Sequence, residues 1–205
     1  MNAVKNILFD LGAVLIDIDF EKTADAFRQL GIDRFEEQFS QLSASTLFED
    51  LETGKISNED FYEAMRRQVP EMNLSDDSIQ LAWNAILQDF RKESMQLLKQ
   101  LKSQYRLFLL SNTNAIHLVE VNHILKKQTG VEKLDYYFER AYYSHLIGLR
   151  KPTSAAFNFV LEDAGISAPE TLFIDDSHPN ITTASQMGFQ TKLLLKGEKV
   201  EDFLV

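Results

Sequence analysis

The sequence predicts an α/β fold, in which a doubly wound parallel sheet carries a small all-helical cap domain inserted after the first strand. Five short apolar runs lack polar alternation, as strands buried on both faces of a parallel sheet do. Helical patterns separate the last four runs, and alternating strands and helices are typical of doubly wound folds. The long interval between the first two runs has helical periodicity throughout, which indicates a separate helical domain.

The five predicted strands are residues 6–10, 106–111, 140–144, 171–175 and 191–195. Each ends in polar or small residues, which suits a strand that stops at the edge of a sheet. The three helical patterns between the last four strands stop at Gly130, Gly165 and Gly188. Glycine favours such stops because it adopts the left-handed conformation at a helix end.

The insertion covers residues 17–91 and is too long for an ordinary connection in a compact sheet. Its apolar residues recur at helical intervals, and one such pattern runs from Ile79 through Trp83 to Phe90. Ser57 and Ser75 are suitable N-caps within it. We therefore expect a core domain of residues 1–16 and 92–205 and a cap domain of residues 17–91.

Composition excludes several classes of function. The 205 residues include 21 Lys and Arg against 31 Asp and Glu, a net charge of −10, which disfavours binding to nucleic acid. The chain has no cysteine, so a metal ion would need oxygen or imidazole ligands. No apolar run is long enough to span a membrane, and no basic leader precedes a small-residue cleavage site. We expect a cytoplasmic protein that does not bind membranes.

Polar side chains follow the predicted strands at the edge where open parallel sheets bind ligands. They are Asp10, Ser111, Asn112, Asp175 and Asp176, and Lys151 lies in the loop after the third strand. Each alone could be a turn residue, a loop acid or a surface charge. Together they include three carboxylates, which repel one another unless a cation lies between them. Mg²⁺ prefers such oxygen ligands at sites that handle phosphate.

Four segments in this order resemble the motifs of the haloacid dehalogenase superfamily of aspartate-nucleophile hydrolases. They are residues 6–15, 109–114, 148–152 and 173–180, so the resemblance extends over essentially the whole chain. The helical insertion also matches the helical-cap type of this superfamily. Within the insertion, residues 48–61 resemble the subgroup that includes phosphatases acting on glucose 1-phosphate.

The resemblance implies a phosphatase that uses Mg²⁺ to hydrolyse a small phosphate monoester, such as a sugar phosphate. Asp10 would attack phosphorus and form an aspartyl-phosphate. The metal ligands would be Asp10, the backbone carbonyl of Gly12 and Asp176, with Asp175 bound directly or through water. Ser111 and Lys151 would hold the phosphoryl oxygens, which makes both of them catalytic and substrate-binding. Asn112 would either contact the substrate or brace its loop.

One departure from the family pattern keeps two alternatives open. Gly12 stands where the family's phosphatases usually have an aspartate that serves as general acid and base, a role worth about 10² to 10⁴ in rate. A 2-haloacid dehalogenase-type hydrolase and a catalytically weak or silent binding protein are the alternatives. Asp17 or Asp19 could replace the missing acid, although a hinge turn and a helix cap are their simpler interpretations. The pair Asp175 and Asp176 favours phosphate over halide, because the dehalogenases' fourth motif lacks it.

Overall fold

The computed structural model describes residues 3–39 and 45–204. In chain order the strands and helices are β1 (Asn6–Phe9), β2 (Ile16–Ile18), α1 (Phe20–Gln29), α2 (Phe35–Gln38), α3 (Thr46–Glu52), α4 (Asn58–Gln68), α5 (Asp76–Asn84), β3 (Leu87–Phe90), α6 (Lys92–Leu101), β4 (Arg106–Ser111), α7 (Ala115–Thr129), β5 (Arg140–Tyr143), α8 (Ser144–Ile147), α9 (Ser154–Ala164), β6 (Thr171–Asp175), α10 (His178–Gln186) and β7 (Gln190–Leu193). Within the described residues no helix is both long and apolar enough to cross a membrane.

The predicted parallel sheet is confirmed, with its strands in the order β5-β4-β1-β6-β7. β1 pairs in parallel with β4 on one side and with β6 on the other. Successive side chains of β1 point to opposite faces, so Ile7 and Phe9 pack into one apolar cluster and Leu8 packs into another. Burial on both faces explains the unbroken apolar runs. Because β1 is the central strand, Asp10 lies in the middle of the carboxyl edge.

A third apolar cluster lies mainly in the insertion, and Ile116 of α7 contributes to it from the core. Its centre is Trp83, which is fully buried. The rings of Phe48 and Phe61 have their centroids 5.3 and 5.6 Å from that of Trp83. An apolar cluster of its own is what a separate domain requires, and the division at residues 17–91 stays a prediction.

The prediction of helix for residues 87–90 is wrong, because this segment forms β3. β3 pairs antiparallel with β2, and Ile18 lies opposite Leu87. Further backbone bonds flank the pair: Asp19 N donates to Ile86 O (2.8 Å) and Arg91 N donates to Leu15 O (3.1 Å). The segment has a helical pattern but forms a strand, because its backbone pairs with β2, which lies about 70 residues earlier in the chain. The regular elements described between β2 and β3 are all helices.

Candidate active site

The carboxyl ends of β1, β4 and β6 bring Asp10, Ser111 and Asp175 together at one edge of the sheet. A cleft of about 570 Å³ opens between this edge and the insertion. Of the site residues predicted from the sequence, those that line the cleft are Asp10, Gly12, Ser111, Asn112, Lys151 and Asp176. Asp175 is fully buried and contacts the same group through Lys151.

Lys151 is the cation at the centre of this group, and only 1% of it is exposed. Its Nζ donates hydrogen bonds to Asp10 Oδ1 (2.7 Å) and to Asp175 Oδ2 (2.6 Å). A buried ammonium is tolerated only when it is paired and hydrogen-bonded. Burial lowers the pKa of Lys151, but the carboxylates of Asp10 and Asp175 outweigh burial and raise it above its ordinary value. Lys151 is therefore charged at neutral pH.

Three carboxylates converge beside Lys151. Asp10, Asp175 and Asp176 each place one oxygen within 4.8 Å of the others. Burial raises the pKa of Asp10 to about 7; Lys151 opposes this shift, and the charges of Asp175 and Asp176 add to it. A divalent cation bound by these oxygens would offset the repulsion. The donor set fits Mg²⁺, a hard cation that binds carboxylate oxygens.

Asp175 is held by hydrogen bonds from the start of α10. Ser177 N donates to Asp175 Oδ1 (2.7 Å), and Asn180 Nδ2 lies 3.0 Å from both carboxylate oxygens. With Lys151 also bound, both oxygens of Asp175 are engaged. The sequence analysis gives no role to Asn180. This residue ends the fourth motif segment and lies one helical turn beyond the acidic pair.

Asn112 connects two loops of the site. Its Nδ2 donates to the backbone carbonyl of Lys151 (2.9 Å), and its Oδ1 accepts from the backbone N–H of Lys151 (2.8 Å). Of the two roles that the sequence left open, this reciprocal pair corresponds to bracing the loop. Ser111 lies next to it and is buried, with a long hydrogen bond (3.5 Å) from its Oγ to the carbonyl of Asn112.

Position 12 is closely surrounded. A Cβ on Gly12 would lie 3.3 Å from Ile18 Cδ1, so a larger side chain would require Ile18 to move. The two aspartates that could have replaced the missing acid have structural partners. Asp17 accepts a hydrogen bond from Arg91 Nε (2.7 Å), and Asp19 caps α1 by accepting from two of its backbone N–H groups. These contacts agree with the hinge-turn and helix-cap interpretations.

A second charged group lines the cleft on the side of the insertion. Arg150 Nη1 lies 2.7 Å from Glu49 Oε1, and its Nη2 lies 3.0 Å from Glu52 Oε2. Glu52 is 6% exposed. Burial raises the pKa of Glu52, while Arg150 opposes that shift. The sequence assigned no role to these three residues, because no local pattern connects α3 to a loop about a hundred positions later.

His117 borders the cleft from α7 and packs against the insertion. Its ring stacks on Trp83 with centroids 4.3 Å apart, and its Nε2 lies 3.2 Å from the backbone carbonyl of Trp83. Burial lowers the pKa of His117 to about 4. The histidine is therefore neutral near pH 7.

Comparison with known proteins gives three close likenesses. The sequence profile of the haloacid dehalogenase-like hydrolases matches residues 4–188. The D-ribitol-5-phosphate phosphatase of Bacteroides thetaiotaomicron is 30% identical over 191 residues, which are 92% of this chain and 90% of the relative. A crystal structure of a haloacid dehalogenase family enzyme from the same organism, a variant in complex with magnesium and inorganic phosphate, has 35% identity and a TM-score of 0.93, and the match covers 99% of this chain and 100% of that chain.

A further crystal structure resembles the chain almost as closely. It is that of a predicted haloacid dehalogenase-like hydrolase from Porphyromonas gingivalis, with 34% identity and a TM-score of 0.87. The match covers 96% of this chain and 94% of that chain. These likenesses therefore extend over both the parallel sheet and the helical insertion.

Proposed function

The chain belongs to the haloacid dehalogenase-like hydrolases, and from this membership we propose that it is a magnesium-dependent phosphatase of a sugar or polyol phosphate. The observation that carries the proposal is the buried group of Asp10, Lys151 and Asp175, with Asp176 beside it. The related phosphatase named for D-ribitol 5-phosphate and the related enzyme crystallised with magnesium and phosphate support it. A small phosphorylated metabolite is the expected partner.

Asp10 is the nucleophile in this proposal. Lys151 holds Asp10 Oδ1 at 2.7 Å, and the other carboxylate oxygen attacks phosphorus. A bond forms between that oxygen and phosphorus while the bond from phosphorus to the leaving oxygen breaks, which yields an aspartyl-phosphate and an alkoxide that takes a proton from solvent. Water then attacks this phosphorus, the bond from phosphorus to Asp10 breaks, and inorganic phosphate is released while the water's proton goes to solvent and the carboxylate is restored. Positioning and charge stabilisation are the main requirements of such a transfer.

Lys151 and Ser111 would bind the phosphoryl oxygens. An ammonium has three N–H donors, and the two carboxylates accept from Lys151 Nζ in the structure, so one donor is left for the phosphoryl group. The hydroxyl of Ser111 would supply a second donor at the end of β4. Both groups are buried, and hydrogen bonds to a developing charge are worth more where water is excluded.

Asp10, Asp176 and the backbone carbonyl of Gly12 would hold the magnesium ion. Asp175 would reach it through water, because Lys151, Ser177 and Asn180 already occupy both of its oxygens. When bound, the ion neutralises the charges of nucleophile and phosphate, so that one can approach the other.

Gly12 adds a prediction about the leaving group. With no carboxylic acid at this position to protonate the departing oxygen, we expect rates to fall as the alcohol becomes less acidic. Aryl phosphates should then be hydrolysed faster than esters of primary alcohols. Equal rates across aryl and alkyl phosphates would contradict this prediction.

The direct test is phosphate release from a panel of esters by the purified protein. The panel contains 4-nitrophenyl phosphate, ribitol 5-phosphate, glucose 1-phosphate and glucose 6-phosphate, each with Mg²⁺, after chelation and after Mg²⁺ is restored. We expect release that chelation abolishes and Mg²⁺ restores. Metal-independent halide release from 2-chloropropionate would support the dehalogenase alternative, and no release from any ester would support the silent binding protein.

The domain division and the cytoplasmic location belong to the same proposal. Residues 17–91 would act as the cap over a core of residues 1–16 and 92–205, since Glu49 and Glu52 of α3 face the cleft opposite the strand ends. A phosphorylated metabolite as substrate is consistent with a cytoplasmic enzyme, which stays a prediction.

A further inference from the structure

The cleft has two ends with different charges. One end, at the carboxyl edge of the sheet, carries the three aspartates, and Lys151 reaches them from the loop before α9. Among the other described residues that line the cleft, the charged ones are Glu49, Glu52 and Arg150, whose formal charges sum to −1. Arg150 is already paired with both glutamates, so this end offers no uncompensated cation to an anionic group.

Resting on the proposed phosphatase function, we propose that Glu52 and Arg150 select substrates that carry one phosphate and an otherwise uncharged, hydroxylated chain. The carboxylate of Glu52 would accept hydrogen bonds from substrate hydroxyl groups. A second phosphate or a carboxylate at the far end of the substrate would meet the negative charges of Glu49 and Glu52 and be repelled. The substrate class is thus a sugar or polyol monophosphate.

The position of Glu52 is held by contacts on both sides of the cleft. Arg150, the neighbour of Lys151 in the chain, forms an ion pair with Glu52 (Nη2 to Oε2, 3.0 Å). On the other side, the turn after α3 touches the core, because a Cβ on Gly54 would collide with the backbone carbonyl of His145. Glu52 therefore lines the same cleft as the proposed phosphate site and is held on the core side by Arg150.

Arg150 provides a second feature that points to an oxygen-bearing ligand. Its Nε is buried and has no hydrogen-bond acceptor in the part of the chain that the structure describes. Leaving a buried donor unsatisfied typically costs about 1–3 kcal/mol. A hydroxyl oxygen of the substrate would satisfy this donor while its own hydrogen is donated to Glu52.

The remaining wall of this end is apolar and supports the same substrate class. Phe20 and Phe39 line it, with ring centroids 5.8 Å apart. The C–H groups of a sugar or polyol can pack on such rings while its hydroxyls face Glu52. A hydrocarbon chain could also pack there, but it would leave Arg150 Nε without an acceptor.

The test compares two esters that differ only at the end distant from phosphate. Ribitol 5-phosphate ends in a hydroxymethyl group, and ribonate 5-phosphate ends in a carboxylate. The assay measures kcat/KM for both, and for 4-nitrophenyl phosphate and farnesyl phosphate, in the wild-type protein with Mg²⁺. We expect the wild type to prefer ribitol 5-phosphate over ribonate 5-phosphate by at least about tenfold. We also expect Glu52→Gln to lower that preference at least fivefold and to lower ribitol 5-phosphate turnover more than 4-nitrophenyl phosphate turnover.

Two further variants complete the design. Glu63→Gln is the matched control, since Glu63 is an exposed glutamate that pairs with Arg67 within α4, away from the cleft; it should leave the preference unchanged. Glu49→Gln removes the more exposed carboxylate beside Arg150 and should lower the preference by a smaller factor. It also provides the test if Glu52→Gln does not fold.

Each result separates the specificity proposal from the phosphatase proposal. If the wild type hydrolyses none of the four esters, the phosphatase proposal fails and the specificity proposal fails with it. If it hydrolyses 4-nitrophenyl phosphate without preferring ribitol 5-phosphate, or prefers farnesyl phosphate, only the specificity proposal fails. Equal losses on all esters in Glu52→Gln would mean that Glu52 only supports the insertion, which also overturns it.

Discussion

Lys151 and Arg150 are neighbours in the chain, and each cation lies between two carboxylates, yet the two groups differ in how completely they are satisfied. Lys151 is 1% exposed and hydrogen-bonds to both of its partners. The side chain of Arg150 is 24% exposed, and its Nε has no acceptor among the described residues. Two adjacent cations that each pair with two carboxylates therefore differ in burial and in hydrogen bonding.

The difference follows from what each group is built on. The Lys151 group joins the ends of β1 and β6 and a loop braced by Asn112, all within the core. The Arg150 group joins that loop to α3 in the insertion. A reacting centre benefits from a fixed set of hydrogen bonds, whereas a recognition site benefits from donors and acceptors that a ligand can satisfy.

Asp10→Asn should have the largest effect on activity. The amide is a poor nucleophile and carries no charge to pair with Lys151, so we expect phosphate release to fall by about 10⁴-fold or more. The measurement is the turnover of 4-nitrophenyl phosphate with Mg²⁺, with circular dichroism as the control for folding. A folded variant that keeps more than a tenth of wild-type turnover would remove Asp10 from the mechanism.

Lys151→Met and Arg150→Met compare the two groups directly. Without Lys151, Asp10 and Asp175 are left buried and unpaired, which should lower the free energy of unfolding by about 3–5 kcal/mol. Without Arg150 we expect a loss of about 1–2 kcal/mol, because that group is partly reached by water. Urea unfolding in the presence of a chelator measures both. Equal losses of unfolding free energy in the two variants would contradict the difference between the two charged groups.

Protonating His117 would add a second buried cation to the cleft, beside Lys151. Its pKa in the folded protein is about 4, below its ordinary value of 6.5, so between these pH values the unfolded chain binds a proton that the folded chain does not. The contribution is present above pH 6.5 and is lost as the pH falls toward 4. Between pH 7 and pH 4.5 we expect His117 to lower the free energy of unfolding by about 2–3 kcal/mol.

His117→Gln isolates this contribution, since glutamine does not titrate and keeps a donor for the carbonyl of Trp83. The variant should lose about 2–3 kcal/mol less than the wild type over the same pH interval. Identical pH dependence in the two proteins would show that His117 is not the group responsible.

Gly54→Ala tests how firmly the turn after α3 rests on the core. Gly54 has φ +67° and its Cβ would collide with the carbonyl of His145. Gly130 has φ +76° with no atom within 4 Å of a Cβ, so Gly130→Ala measures the cost of the left-handed backbone alone. We expect Gly54→Ala to lower the free energy of unfolding by about 1–2 kcal/mol more than the control. Equal losses would indicate that the turn can move away from the core.

Local patterns predicted the strands of the sheet well. Ile7, Leu8 and Phe9 are apolar in succession because β1 is covered on both faces, and this cause acts within four residues. By contrast, the segment from Leu87 to Phe90 has apolar residues that fit either a helix or a strand. Its pairing with β2 depends on a partner far away in the chain, and no local pattern contains that information.

The groups around Lys151 and Arg150 differ in the same way in how far the sequence predicts them. Asp10 directly follows β1, Ser111 and Asp175 are the last residues of β4 and β6, and parallel strands bring their carboxyl ends to one edge. The amino-acid sequence was therefore sufficient to place them together. Glu52 and Arg150 occupy a helix and a loop with no such rule to connect them, and Asn180 contacts Asp175 only because α10 begins where it does.

The positions of the five core strands and the identity of the polar residues at their ends follow from short-range patterns, and the amino-acid sequence is enough to obtain them. The order of the strands in the sheet is known only from the structure. The contact between α3 and the loop of Arg150, the β2–β3 pair and the burial of His117 against Trp83 arise only when the insertion packs on the core. The physical reason is that burial and charge pairing depend on distances in space, and residues about a hundred positions apart acquire those distances only by folding.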